Sequence, residues 1–123
     1  MSLFTVVFYV KTNGEQPAKD FLESLDKKTR AKTVSMIVLL QENGNELREP
    51  YSKYLSEGIF ELRAKAGTGI TRILYFFYYD RHIILTNGFI KKTQKTPRSE
   101  TDKAKRYRKD YLERKGRENE QQI

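Results

Sequence analysis

The stretch ITRILYFFYY, Ile70 to Tyr79, constrains the fold more than any other part of the chain, because nearly all of it is β-branched or aromatic. Such a run fits a central strand covered on both faces. Strand-like runs flank it on either side. Before it, IFELRAK alternates, with Phe60, Leu62 and Ala64 on one face and Glu61, Arg63 and Lys65 on the other, as in a half-buried strand. After it comes HIILTNGFI. The connections AGTG and Asp80-Arg81 are short enough for hairpins, so Gly58 to Pro97 predicts an antiparallel three-stranded meander onto which the rest packs.

Register makes this meander chemically interesting. A four-residue loop from Ala66 to Gly69 sets Lys65 opposite Ile70 and Arg63 opposite Arg72. A two-residue turn at Asp80-Arg81 sets Tyr79 opposite His82, Leu74 opposite Asn87 and Arg72 opposite Phe89. Arg63, Arg72, Asn87 and Lys91 then share one face. Like charges directly opposite one another destabilise a sheet, so the pairing needs a reason. Two are equally supported. The cluster is a pocket for an anion such as phosphate, whose oxygens match guanidinium groups bidentately, or Glu61, diagonal to Arg72, neutralises it in an ordinary salt bridge.

The remaining elements read more simply. Leu3 to Val10 predicts a strand that joins the same sheet and is broken by Asn13-Gly14. Pro17 opens a short helix with Phe21, Leu22 and Leu25 on one face. Asp26 caps a second helix running to about Glu42, with Ala31, Val34, Val38 and Leu39 at helical spacing, Met36 and Ile37 widening the apolar face, and Asn43-Gly44 as the stop. Asn45 to Glu57 reads as a polar linker. Thr96-Pro97 resembles an N-cap and first-turn proline for a last helix, whose Ala104, Tyr107 and Tyr111 should dock on the sheet. The fold class expected is α+β: an N-terminal strand, two helices, the meander and a C-terminal helix. One domain over residues 1–113 is expected, with 114–123 a polar, frayed tail.

Charge and composition narrow the chemistry. The chain carries a net charge of +8, and Lys91 to Arg117 alone holds 12 basic and 4 acidic residues. A basic segment so concentrated favours nucleic acid or an acidic protein as partner, although a solvated helix is the commoner meaning of such a run. There is no cysteine and one histidine, His82, so a tetrahedral zinc site has no ligand set. AGTG lacks the GK[ST] ending of a phosphate loop. No cofactor or metal is expected, nor a membrane span, and the absence of a signal-peptide pattern points to the cytoplasm. Cationic and phenolic groups can support RNA cleavage unaided: a base takes the 2′-OH proton, cations stabilise the phosphorus oxygens and an acid protonates the leaving 5′ oxygen. Lys91 or a nearby tyrosine, its pKa lowered by surrounding positive charge, is the proton carrier on this reading.

Three runs carry a family resemblance: EPYSKYLSEGIFELR (Glu49 to Arg63), TRILYF (Thr71 to Phe76) and GFIKKTQKTPRSETDKAKR (Gly88 to Arg106). In this order they resemble the RelE/HigB toxin superfamily, in particular its phage-derived Gp49-like branch. The resemblance implies a type II toxin that cleaves mRNA on the ribosome without a metal and is silenced by an antitoxin containing a helix-turn-helix; it does not set the oligomeric state. It puts Arg63, Arg72, Lys91 and Lys92 at positions used for catalysis and substrate phosphate. The candidate site is therefore Arg63, Arg72 and Lys91 for catalysis, with Asn87, Lys92, Lys95 and Lys103 as substrate contacts. One departure matters. Relatives often read L-H-x-F where this chain has Thr86-Asn87-Gly88-Phe89, and an amide cannot exchange a proton near neutral pH. Two rivals are a gyrase-binding toxin of the same fold and a non-catalytic basic nucleic-acid-binding protein of phage origin.

Overall fold

The computed structural model describes residues 4–67, 69–91 and 95–121. In chain order they form β1 (Thr5–Phe8), α1 (Pro17–Ser24), α2 (Lys27–Asn43), a 3-10 turn (Gly44–Glu46), β2 (Ser52–Ser56), β3 (Ile59–Ala66), β4 (Gly69–Tyr78), β5 (His82–Lys91) and α3 (Arg98–Gln121). The strands make one mixed sheet in the order β1-β5-β4-β3-β2, with β1 parallel to β5 and the other pairs antiparallel. The fold is α+β, as the sequence predicts.

The meander has four strands rather than three. Ser52–Ser56, inside the expected linker, pairs with β3 as an edge strand. Its signal is weak because an edge strand buries few side chains: Ser52 is buried, Lys53 and Tyr54 are exposed, and no apolar alternation results. Ser52 tolerates burial because its hydroxyl lies 2.5 Å from the Tyr75 hydroxyl.

The expected register holds at both hairpins, at the second through two differences that cancel. Ala66 pairs directly with Gly69, giving a tighter turn but the same Arg63 to Arg72 alignment. At the other hairpin Tyr78, not Tyr79, faces His82, and Asp80 and Arg81 take positive φ of 59° and 55°. A bulge between the Leu74 and Tyr75 positions inserts Thr86 and shifts the register back, so Leu74 faces Asn87 and Arg72 faces Phe89.

α1 and α2 cover one face of the sheet, α3 the other. Asp26 caps α2 by accepting from the Thr29 N–H at 3.2 Å, and Arg30 on that helix donates to the Leu22, Glu23 and Leu25 carbonyls that end α1. The buried stripe of α2 differs from expectation: Thr33, Met36, Ile37 and Leu40 face the sheet, while Val34 and Val38 are each 43% exposed. Met36, Ile37 and Leu40 are the larger hydrophobes, and Thr33 joins them because its hydroxyl bonds the Thr29 carbonyl at 2.8 Å. Gly88 on β5 is required by packing, since a Cβ there would run into Phe21 of α1 and Ile73 of β4.

α3 docks through aromatic rings, with Tyr107 stacked on Tyr9 and Tyr111 edge-on to Phe76 and Tyr78. The boundary expected at residue 113 falls inside this helix, which continues to Gln121. Arg114 helps to hold it there, donating to the Val10 carbonyl and to Asp110. Among the described residues no helix is long and apolar enough to cross a membrane.

Candidate active site

Strand register places the charged cluster on the α3 face. Arg63 and Arg72 are directly opposed, and Glu61 precedes Arg63 by two residues on the same side. Glu61 is fully buried and joins them: its Oε1 accepts from Arg72 Nη1 at 2.8 Å and from Arg63 Nε at 3.2 Å. Its second oxygen accepts from the Thr96 hydroxyl. The salt bridge left open by the sequence is therefore present, and it explains how two opposed arginines are tolerated.

The arginines are not equivalent. Arg72 is 5% exposed, and its Nε, also buried, meets no acceptor among the described residues. Burial lowers its pKa and Arg63 adds to this, with Glu61 opposing. Arg63 keeps its side chain 24% exposed and reaches outward, Nη1 lying 3.7 Å from Glu49 Oε1.

Above the ion pair is an open cleft of about 360 Å³. Among the described residues, six basic side chains line it, Lys53, Arg63, Lys91, Lys95, Arg98 and Lys105, against one acid, Asp102. Lys91 ends β5, buried except at this wall. Burial lowers its pKa, and Arg72, Arg63 and Lys53 push in the same direction while Glu61 opposes. Tyr9 and Tyr75 move the other way, to about 12, chiefly through burial, and Tyr111 is raised as well. Among the described residues with perturbed acidity, only Lys91 is both in the cleft and shifted toward neutral pH.

The structure thus brings Arg63, Lys91 and Lys95 to one cleft, with Arg72 beneath it. Asn87 is elsewhere. It is buried, its amide donates to the Glu100 carbonyl and carboxylate at 3.3 and 3.0 Å, and its oxygen lies 2.7 Å from the Thr86 hydroxyl. With its amide nitrogen committed to the first turn of α3 and its oxygen to Thr86, it anchors that helix and is no wall of the cleft. Lys103 also lies outside the lining and pairs with Glu100 at 3.5 Å. Lys92 lies outside the described residues. His82 opens β5, at the opposite end of the strand from Lys91, its Nδ1 3.0 Å from the Tyr79 carbonyl.

Sequence reasoning missed Lys53, Arg98 and Lys105. Lys53 lies on β2 and faces Glu61 on β3, so its place follows only once that edge strand is identified. Arg98 and Lys105 are seven residues apart on α3, a spacing that puts them on one helical face. Among the described residues no three His, Cys, Asp or Glu side chains group closely enough to hold a metal ion.

The fold and cleft define an α+β protein with a concentrated cationic site. Residues 20–109 match the family described as phage derived protein Gp49-like (DUF891), and the chain belongs to that family. No curated protein matches it.

Proposed function

We propose that this protein is the toxin of a type II toxin-antitoxin pair, a cytoplasmic endoribonuclease that cuts mRNA on the ribosome without a metal and is silenced by an antitoxin containing a helix-turn-helix. Membership of the Gp49-like family supports this reading, as does the resemblance of the three sequence runs to RelE/HigB toxins. The observation that carries it is the convergence of Arg63 and Lys91 on one basic cleft, backed by the buried Glu61–Arg72 pair. The scissile phosphate sits against Arg63, whose guanidinium stabilises the charge that gathers on its oxygens. Lys91, in the neutral form that burial favours, takes the 2′-OH proton. The new bond joins O2′ to phosphorus, the P–O5′ bond breaks, and the leaving oxygen takes a proton from water or a lining ammonium. The products are a 2′,3′-cyclic phosphate and a 5′-hydroxyl.

The test is transcript mapping in a translating extract with purified protein, wild type against Arg63→Ala. Wild type should give discrete cuts, and losing one preorganised donor should slow them roughly 100- to 1,000-fold. Arg63 is the better probe because its side chain is partly exposed, whereas removing Arg72 would strand a buried carboxylate. Intact transcripts together with blocked DNA supercoiling would establish a gyrase-binding toxin instead. Growth arrest by Arg63→Ala equal to wild type would overturn the assigned role of this residue.

A further inference from the structure

A second groove adjoins the cleft. It holds about 430 Å³ and is lined by Lys105, Arg106, Arg108 and Lys109 together with Leu112 and two acids, Glu57 and Glu113. Lys105 belongs to both walls. Among the described residues the two hollows together are lined by nine basic and three acidic side chains, a net +6 within a chain of +8. Most of the protein's excess charge is therefore on one continuous surface rather than scattered over α3.

The new groove is built to remain open. It follows the β2–β3 turn, where Glu57 and Gly58 take positive φ of 48° and 82°. A Cβ on Gly58 would crowd the Arg108 guanidinium, so glycine lets that side chain lie along the turn and over the Phe76 ring, 5.8 Å from its centroid. Arg108 thereby forms the floor. Lys105 is held at the junction by Glu57 at 3.4 Å. Arg106 and Lys109 are exposed and form no ion pair with a described residue, unlike Lys103 and Lys115 on the same helix.

We infer that this groove carries the RNA strand that continues from the reaction cleft, with Lys105 at the junction and Arg106 and Lys109 as contacts to phosphates outside the cleft. The inference rests on reading the cleft as an RNA site. From Arg98 to Lys109 the helix advances roughly 16 Å at about 1.5 Å per residue. Phosphates follow one another at about 3.4 Å along a stacked strand, so this length accommodates several. The cations match a repeating monoanion better than a compact ligand, because they are spread along the helix instead of converging on one point.

The experiment measures binding of uncleavable 2′-O-methyl RNA, about twelve or about three nucleotides long, across a series of salt concentrations. Full-length wild type is compared with Arg106→Gln/Lys109→Gln. Wild type should bind the longer RNA more tightly and with the steeper salt dependence. The double variant should lose about 1.4 from that slope, about 0.7 for each phosphate contact, while its affinity for the short RNA and its unfolding midpoint stay unchanged. Unchanged binding of the longer RNA at every salt concentration would overturn the inference, and is the result expected if the groove takes an acidic protein instead. Failure of the nuclease reading would look different: intact transcripts in the extract, with the slope loss retained.

Discussion

The two faces of the sheet are built from the same strands but bury different chemistry. Under α1 and α2 the core is aliphatic and aromatic, and the buried polar side chains on that side, Thr33, Ser52 and Thr71, are neutral hydroxyls. Under α3 the sheet buries Glu61, Arg72 and Lys91. Desolvation costs several kcal/mol per ion, a large fraction of the roughly 5–15 kcal/mol by which a typical domain is stable. The first face explains why the chain folds. Packing alone gives no reason for the second, where Lys91 lines the open cleft and the Glu61–Arg72 pair is bonded to Arg63 in the same lining. Stability is recovered elsewhere on the α3 face, where Tyr9, Phe76, Tyr78, Tyr107 and Tyr111 form an aromatic seam.

The strongest way to break this contrast is to make the second face resemble the first. Arg72→Leu alone removes the partner 2.8 Å from a buried carboxylate and should cost about 3–5 kcal/mol in denaturant unfolding. Glu61→Leu/Arg72→Leu should recover most of that loss, since apolar replacement of a whole buried pair is often neutral or stabilising. Transcript cleavage by the double variant should remain abolished. A stable double variant that still cuts RNA would show that the ion pair serves the fold alone.

A smaller effect tests the seam. The Tyr9 hydroxyl donates to Asp110 at 2.5 Å, and Arg114 donates to the same carboxylate. Tyr9→Phe keeps the ring stacked on Tyr107 but removes a hydrogen bond to a charged acceptor, at an expected cost of about 1.5–3 kcal/mol. Amide exchange should quicken in the C-terminal turns of α3 more than in β4. Uniform quickening throughout the protein would mean that the helix and sheet open as one unit.

The sheet was legible in the sequence because β3, β4 and β5 owe their patterns to burial, and burial writes itself into side-chain type. Counting back from the turns places Arg63 opposite Arg72, and it also places Arg72 opposite Phe89, because the one-residue difference at the Asp80-Arg81 turn and the bulge at Thr86, which no pattern marks, cancel between β4 and β5. β2 was hidden because an edge strand needs little apolar surface, and with it went Lys53. The cluster was half legible. A count along strands says which residues share a face; it does not say that Glu61 reaches both arginines or that Asn87 turns to Glu100. Those outcomes depend on where α3 lands, which no local pattern encodes.

The subtlest contrast is in alkaline solution, where burial favours the neutral form on both faces but with opposite consequences. Lys91, under α3, has its pKa lowered from 10.5, so between its folded value and 10.5 the unfolded chain binds the extra proton and stability rises with pH. Tyr75, on the α1/α2 face, is raised from 10.0 to about 12, so over that interval the folded chain keeps the proton. Its contribution is complete below 10 and is lost as pH passes through about 12. Denaturant unfolding from about pH 8 to about pH 11 should therefore show the advantage of Lys91→Met over wild type shrinking as pH rises, and wild type losing ground to Tyr75→Phe above about pH 10. Parallel curves for wild type and Lys91→Met would mean that Lys91 is not appreciably desolvated. If Lys91 is the proton carrier, the cleavage rate should rise through the same window as its stability effect; a rate that is flat there would move the proton to another group in the cleft and leave Lys91 as a charge alone.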